Sequence, residues 1–328
     1  LARYYFNAIG KPHKKKILSR TSGYHGTTLA TAALTGLKPF HAHFDVPGAD
    51  VVHLTEPHHF RQAHDGESEE EFATRLAEEL EAVIEREGGD TIAAMIAEPL
   101  MGAGGLIIPP KTYFEKIQPI LCEHEILLID DEVVCAFGRT GNPFGCQTFG
   151  MQPATMTLAK ALSSAYQPIS AVAIPPFMYE EIERAAGDVG MFGHGLTYSG
   201  HPVAAAVALR TLELYEERGL MDHAARMGDV MQAKLADLAD HPLVGNLRGV
   251  GLIAGLEFIA GKASGARFDP AEKIAFQVQN ACLEAGLVVR ALPGDTCAIC
   301  PPLIIDEDGI EELVTKLVAG LDAVQAKR

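Results

Sequence analysis

The sequence predicts an α/β protein of two domains, and three observations lead there. Apolar runs of strand length alternate with longer segments of helical period. Three of those runs stop beside a charged residue, the pattern expected where ligands sit outside the carboxyl ends of parallel strands. The chain has 328 residues, 48% of them hydrophobic, more than one core usually supports.

The strand-like runs are Thr91 to Ala97, Ile126 to Ile129, Thr155 to Leu158 and Ile169 to Ile174. Their apolar character reads as buried strands of a mostly parallel sheet. Glu98 follows the first, Asp131 the second and Lys160 the third. Ahead of them, Ser68-Glu69-Glu70-Glu71 is a capping box. It opens a helix with Phe72, Leu76, Leu80, Val83 and Ile84 on one face, stopped by Gly88-Gly89. From His201 a helix with Ala205, Ala208, Leu209 and Leu212 on one face leads into the second unit. That unit is expected to hold a helix over 221–238, strands over 251–258 and 287–289, and a last helix over 307–324. The boundary is placed near residue 215, giving a large domain over 1–215 and a small α/β domain over 216–328.

Composition excludes several classes. A formal net charge of -16 repels phosphate backbones, so no nucleic-acid partner is expected. The one basic cluster, Lys14-Lys15-Lys16, reads as a solvated helix end. No apolar run reaches the roughly 20 residues of a bilayer-spanning helix, and no signal peptide is apparent near Leu1. The six cysteines are scattered rather than arranged as a disulfide scaffold, which fits a reduced, cytoplasmic protein. Cys297 and Cys300, formally a C-x-x-C pair, read as buried strand residues.

Asp131 and Lys160 each end an apolar strand, where a charge is costly unless paired or used. Spacing alone leaves two readings open: an ion pair capping the sheet, or a chemical site. The surrounding segments bear on the choice. Asp131-Glu132-Val133, then Phe137-Gly138-Arg139-Thr140-Gly141, then Ala159-Lys160-Ala161-Leu162-Ser163-Ser164 occur in that order. Gly23-Tyr24-His25-Gly26, Ala97-Glu98-Pro99 and Gly195-Leu196-Thr197-Tyr198-Ser199-Gly200-His201-Pro202 accompany them. Together they resemble the class III (omega-type) pyridoxal-phosphate (PLP) aminotransferases, and within the class the omega-amino-acid or amine:pyruvate members.

The resemblance implies the type I PLP fold and pyridoxal 5'-phosphate as cofactor. Lys160 is then the Schiff-base lysine and proton carrier. Asp131 holds the ring nitrogen protonated. Val133, on the same strand face by the period-two rule, packs on one ring face, and Tyr24 stacks on the other. His25 and Glu98 are implied near the cofactor, with a purely structural role as the alternative for each. Thr197 is implied to reach the phosphate of a neighbouring subunit. That makes a homodimer, or a dimer of dimers, with a shared site; the alternative is a plain turn. Arg290 matches the arginine that pairs with a substrate carboxylate, against an ordinary surface arginine at a strand end. Substrates are a small-molecule amine and a 2-oxo acid.

Ala136, Ala161 and Ala165 stand where the class often has glycine. The family's Gly-Ser phosphate-binding turn is expected upstream of Tyr4, so the chain reads as the larger part of a longer product. Aminomutase or decarboxylase chemistry would reuse Lys160 and Asp131. A cofactor-free scaffold of the same fold is a further alternative. So is a metal-dependent hydrolase built on His41, His43, His53, His58, His59 and His64 with Asp45 and Asp50, although no helix-spaced ligand pair is present.

Overall fold

A computed structural model describes residues 1–328 and divides them into two compact units. The first comprises residues 1–99, 109–134 and 149–214, the second residues 100–108, 135–148 and 215–328. The main chain crossing falls between Leu214 and Tyr215, and two short excursions join the second unit.

The first unit begins with α1 (Ala2–Ala8), β1 (Lys16–Arg20), α2 (Leu29–Leu34), β2 (Val51–Leu54) and α3 (His59–Gln62). Then come α4 (Glu69–Glu87), β3 (Ile92–Ala97), α5 (Tyr113–Glu123), β4 (Leu127–Asp131), β5 (Thr155–Leu158), β6 (Ala171–Ala173), α7 (Pro176–Val189) and α8 (Pro202–Glu217), while α6 (Gly145–Phe149), between β4 and β5 in the chain, falls in the second unit's 135–148 segment up to Thr148. Its sheet has the order β2-β1-β3-β4-β5-β6 and is parallel except for β6, which pairs antiparallel with β5.

All six residues of β3 are buried, as expected of a central strand covered on both faces. The predicted strand over 169–174 shortens to three exposed residues at the sheet edge. Its apolar run does not make it a buried strand, because β5 pairs it on one side only.

Helix α4 forms as its sequence dictates. Ser68 Oγ accepts the Glu71 amide at 3.2 Å, and the Glu71 carboxylate accepts the Ser68 amide at 2.9 Å. Phe72, Leu76, Leu80, Val83 and Ile84 are all buried, each worth about 1.5–3 kcal/mol relative to exposure. Gly88, at φ +82°, ends the helix in a conformation that favours glycine. Helix α8 buries Ala204, Ala208, Thr211 and Tyr215; of the predicted Ala205, Ala208, Leu209 and Leu212 face only Ala208 is buried, and Leu209 is 60% exposed.

The basic cluster is no solvated helix end. Lys16 opens β1, and Lys14 is buried, its Nζ donating to the carbonyls of Gly89, Ile92 and His124 at 3.1, 2.9 and 2.8 Å. Three converging carbonyls satisfy an ammonium that composition alone assigns to solvent. Burial nevertheless lowers its pKa.

The second unit holds α9 (Leu220–Leu235), β7 (Val244–Val250), β8 (Ile253–Phe258), α10 (Ile274–Glu284), β9 (Arg290–Leu292), β10 (Thr296–Ile299) and α11 (Glu307–Gln325). Its antiparallel sheet runs β7-β8-β10-β9, and Met231, Leu235, Leu256, Val278, Leu317 and Leu321 are among its core residues. A Cβ on Gly320 would lie 2.5 Å from Cys282 Sγ, so glycine lets α11 approach α10. Residues 287–289 are not a strand. Val288 is 84% exposed, and pairing begins only at Arg290, opposite Ala298. Cys297 is buried in β10, whereas Cys300 lies past the strand and is exposed. No helix is long and apolar enough to cross a membrane.

Candidate active site

The site grows from the carboxyl ends of adjacent strands in the first unit. Register places Asp131, the last residue of β4, opposite Thr157 of β5. Thr157 Oγ1 donates to Asp131 Oδ1 at 3.2 Å, and the Val133 amide reaches the same oxygen at 3.3 Å. The other oxygen, Oδ2, is 2.7 Å from His25 Nδ1, with the two side chains only 8% and 1% exposed. An ionised carboxylate only accepts, so Nδ1 is the donor to it. Three donors thus converge on one buried carboxylate.

His25 comes from the loop after β1. Gly23 permits that loop: a Cβ there would stand 3.0 Å from the Arg20 carbonyl and 3.2 Å from His25 Nε2. His25 Nε2 is itself buried with no hydrogen-bond partner. Tyr24 is half-buried and packs edge-on against Phe40, ring centroids 5.2 Å apart. Its amide donates to Glu98 Oε1 at 3.1 Å. Glu98, immediately after β3, is 2% exposed.

Lys160 lies three residues beyond Thr157, opening a short 3-10 turn. It is exposed and enters no ion pair. Its backbone has φ +45°, and Ser164 and Ala165 follow at +48° and +63°. Left-handed conformations cost a side-chain-bearing residue about 1–2 kcal/mol each, and such outliers cluster at functional sites. Ala165 therefore carries a strain that glycine would not.

The structure brings Asp131, His25, Tyr24 and Glu98 into one bonded set and puts Lys160 on the neighbouring strand end. It corrects the placement of Val133. The strand stops at Asp131, so Val133 sits in the following turn, where strand alternation does not govern its direction. Thr197 is fully on the surface in a turn, flanked by Leu196 and Tyr198 at 80% and 81% exposure. Arg290 is an exposed first residue of β9 in the second unit and enters no ion pair.

Sequence reasoning overlooked Thr157 and Arg20. A threonine in a strand carries no signal, but Arg20 ends the run Ile17-Leu18-Ser19 just as Asp131 ends its own. Three histidines of the hydrolase reading turn to the backbone instead: His41 Nε2 meets the carbonyls of Ala32 and Thr35 at 3.0 and 2.6 Å, His53 Nε2 that of Leu34 at 3.3 Å, and His59 Nε2 that of Glu67 at 2.8 Å.

A mostly parallel sheet with a buried carboxylate and a left-handed lysine at adjacent strand ends has the layout of a ligand-binding enzyme fold, and comparison identifies the family. The aminotransferase class-III family model matches residues 1–321, and the chain belongs to that family. It is 45% identical over its whole length to a probable gamma-aminobutyrate transaminase 3, mitochondrial, of Oryza sativa subsp. indica, covering 64% of that protein. It is 43% identical to a diaminobutyrate–2-oxoglutarate transaminase of Halomonas elongata, with 99% of this chain and 70% of that one covered. Among solved structures, a transaminase with L-alanine superposes with a TM-score of 0.97 at 50% identity, covering 99% of this chain and 77% of that one. An omega transaminase from Pseudomonas jessenii in complex with PMP gives 0.97 at 48%, covering 99% and 72%. The chain thus spans under two thirds of the first curated relative.

Proposed function

We propose that this chain is the larger part of a PLP-dependent aminotransferase. It moves an amino group from an omega-amino acid or primary amine to pyruvate or a similar 2-oxo acid in a ping-pong cycle. The observation that carries the reading is the triply bonded, buried Asp131 carboxylate on the strand beside the one that delivers the exposed, uncommitted Lys160 amine.

The residues present fit the cofactor: an acceptor-only carboxylate for a ring nitrogen, an aromatic ring beside it and a free amine. When bound, PLP supplies an aldehyde carbon for amines and a ring that takes up the electron pair released with the substrate proton. Lys160 would hold the cofactor through Nζ and would supply the amine that moves the substrate proton, a role typically worth about 10²–10⁴-fold in rate. Asp131 would accept a hydrogen bond from the protonated ring nitrogen, and His25 and Thr157 hold the Asp131 carboxylate in place. Tyr24 and Val133 flank the ring, and Glu98 anchors the Tyr24 loop. The surface Thr197, between exposed apolar neighbours, suits a phosphate contact completed by a second copy of the chain, in a homodimer or dimer of dimers. Arg290 receives a substrate carboxylate with its planar fork. Relatives named for gamma-aminobutyrate and diaminobutyrate favour donors whose amine is remote from a carboxylate. Six free cysteines accord with a cytoplasmic setting.

The test is the absorbance spectrum of the full-length protein with PLP, before and after an amine donor, beside Lys160→Ala. A visible band that bleaches with amine and fails to form in the variant supports the reading. Absence of a band in either protein supports a cofactor-free scaffold. Release of carbon dioxide, or product formed without consuming a 2-oxo acid, points to a decarboxylase or an aminomutase.

A further inference from the structure

Arg20 is the largest fully buried side chain of the protein, 1% exposed. It has no carboxylate partner. Nη2 donates to the Glu98 carbonyl at 2.6 Å, Nε and Nη1 find no acceptor, and the guanidinium lies 5.9 Å from the centre of the Tyr113 ring. Burying a cation on these terms is unfavourable, and an apolar side chain of similar length would fill the space at lower cost. Packing therefore does not account for the residue, whereas its bonding does.

Arg20 touches the site loop at two points. Its own carbonyl accepts the Gly23 amide at 3.0 Å, closing the turn that leads into Tyr24 and His25. Its side chain meanwhile fixes the main chain of Glu98, whose carboxylate accepts the Tyr24 amide. The links form a closed ring: Arg20 to Glu98, Glu98 to Tyr24, and Tyr24 back along the turn to Arg20. A second segment packs against the same turn, since a Cβ on Gly36 would stand 2.3 Å from the Arg20 carbonyl.

We propose that Arg20 is a positioning residue: through Glu98 it holds the 21–26 loop so that Tyr24 and His25 are presented in fixed orientation to the Asp131 site. Its effect on the cofactor rests on the aminotransferase reading, whereas its effect on the loop does not.

Two measurements separate these. Hydrogen exchange of the cofactor-free protein is expected to show amides 21–26 exchanging at least about tenfold faster in Arg20→Met than in the parent, with β4 amides unchanged. Arg20→Lys, which keeps the charge and one donor, should restore much of the protection. With PLP added, Arg20→Met should bind at least about tenfold more weakly, and the visible circular dichroism of the bound cofactor should fall, because the flanking ring is no longer fixed. Uniform loosening of β4 and the loop together, or parent-like exchange in Arg20→Met, would overturn the assignment and leave Arg20 a packing residue. If Arg20→Met fails to fold, Arg20→Gln, a donor without the charge, takes its place under the same criteria. A parent protein that forms no visible band with PLP would sink the aminotransferase reading alone, and the exchange data would still decide the role of Arg20.

Discussion

His25 Nδ1 lies 2.7 Å from Asp131 Oδ2, a contact between two nearly inaccessible side chains 106 positions apart in the chain. It joins the loop after β1 to the end of β4, and it is the only side-chain donor that Asp131 receives from outside its neighbouring strand.

His25→Phe keeps the ring volume and removes that donor. The Asp131 carboxylate then loses a hydrogen bond to a charged group, worth about 1.5–3 kcal/mol. PLP affinity measured by equilibrium dialysis should fall about 10- to 100-fold, with the far-ultraviolet circular dichroism unchanged. Unaltered affinity would make His25 structural.

Arg290→Ala is expected to discriminate between substrates. Losing a charge-assisted contact to a carboxylate should weaken kcat/KM for omega-amino acids and 2-oxo acids about 10- to 150-fold. Uncharged amines in the first half-reaction should be nearly unaffected, as single-turnover kinetics with each donor will read. Equal losses for both would remove Arg290 from the substrate site.

Glu67 and Arg75 form a two-point pair, Nε to Oε1 at 2.7 Å and Nη2 to Oε2 at 2.8 Å. Those bonds hold the Glu67 carboxyl at about 2, below its ordinary 4.5. A pKa lower in the folded state means stability that is complete above about 4.5 and lost as pH falls through about 2. The melting-temperature gap between the parent and Arg75→Met should therefore narrow as pH is lowered from 6 towards 3. A gap that stays constant would show that the pair contributes only through packing.

Arg248 and Glu257 are 9% and 1% exposed, paired at 2.8 Å, and the arginine also donates to the Leu106 carbonyl at 2.7 Å. Arg248→Met strands a buried carboxylate, which typically costs about 3–5 kcal/mol. Urea denaturation should show a loss of that size, and adding Glu257→Leu should recover much of it. If Arg248→Met alone unfolds at the parent midpoint, the pair is not what fixes β7 to β8.

What the sequence announced was local. The strands ending at Ala97, Asp131 and Leu158 and the capped helix after Ser68 each carry their signal within a few residues, in apolar runs and a capping box. β1 and β2 escaped notice because Lys16 to Arg20 and Val51 to Leu54 are too short and too polar to display a period. β1 becomes a strand by pairing with β3, and β2 by pairing with β1. Lys14 looked solvated because composition cannot register three carbonyls converging from distant segments. The buried face of α8 was misjudged by about one position on either side of Ala208, since residues 203–209 are apolar without a break and only the neighbouring surface selects among them. The candidate residues themselves were largely legible, but the bonds between them were not: His25 meets Asp131, and Arg20 meets Glu98, only after the loops have folded.

Lys160 stands at φ +45°, so the amine proposed to hold the cofactor is mounted where the backbone is under tension. Replacing it with alanine should abolish chemistry without easing that tension, whereas Lys160→Gly should be the more thermostable of the two inactive proteins by about 1 kcal/mol. On the proposed mechanism, activity and robustness pull on the same residue from opposite sides, and a search for more durable variants that ignored catalysis would be drawn to a position that the chemistry uses.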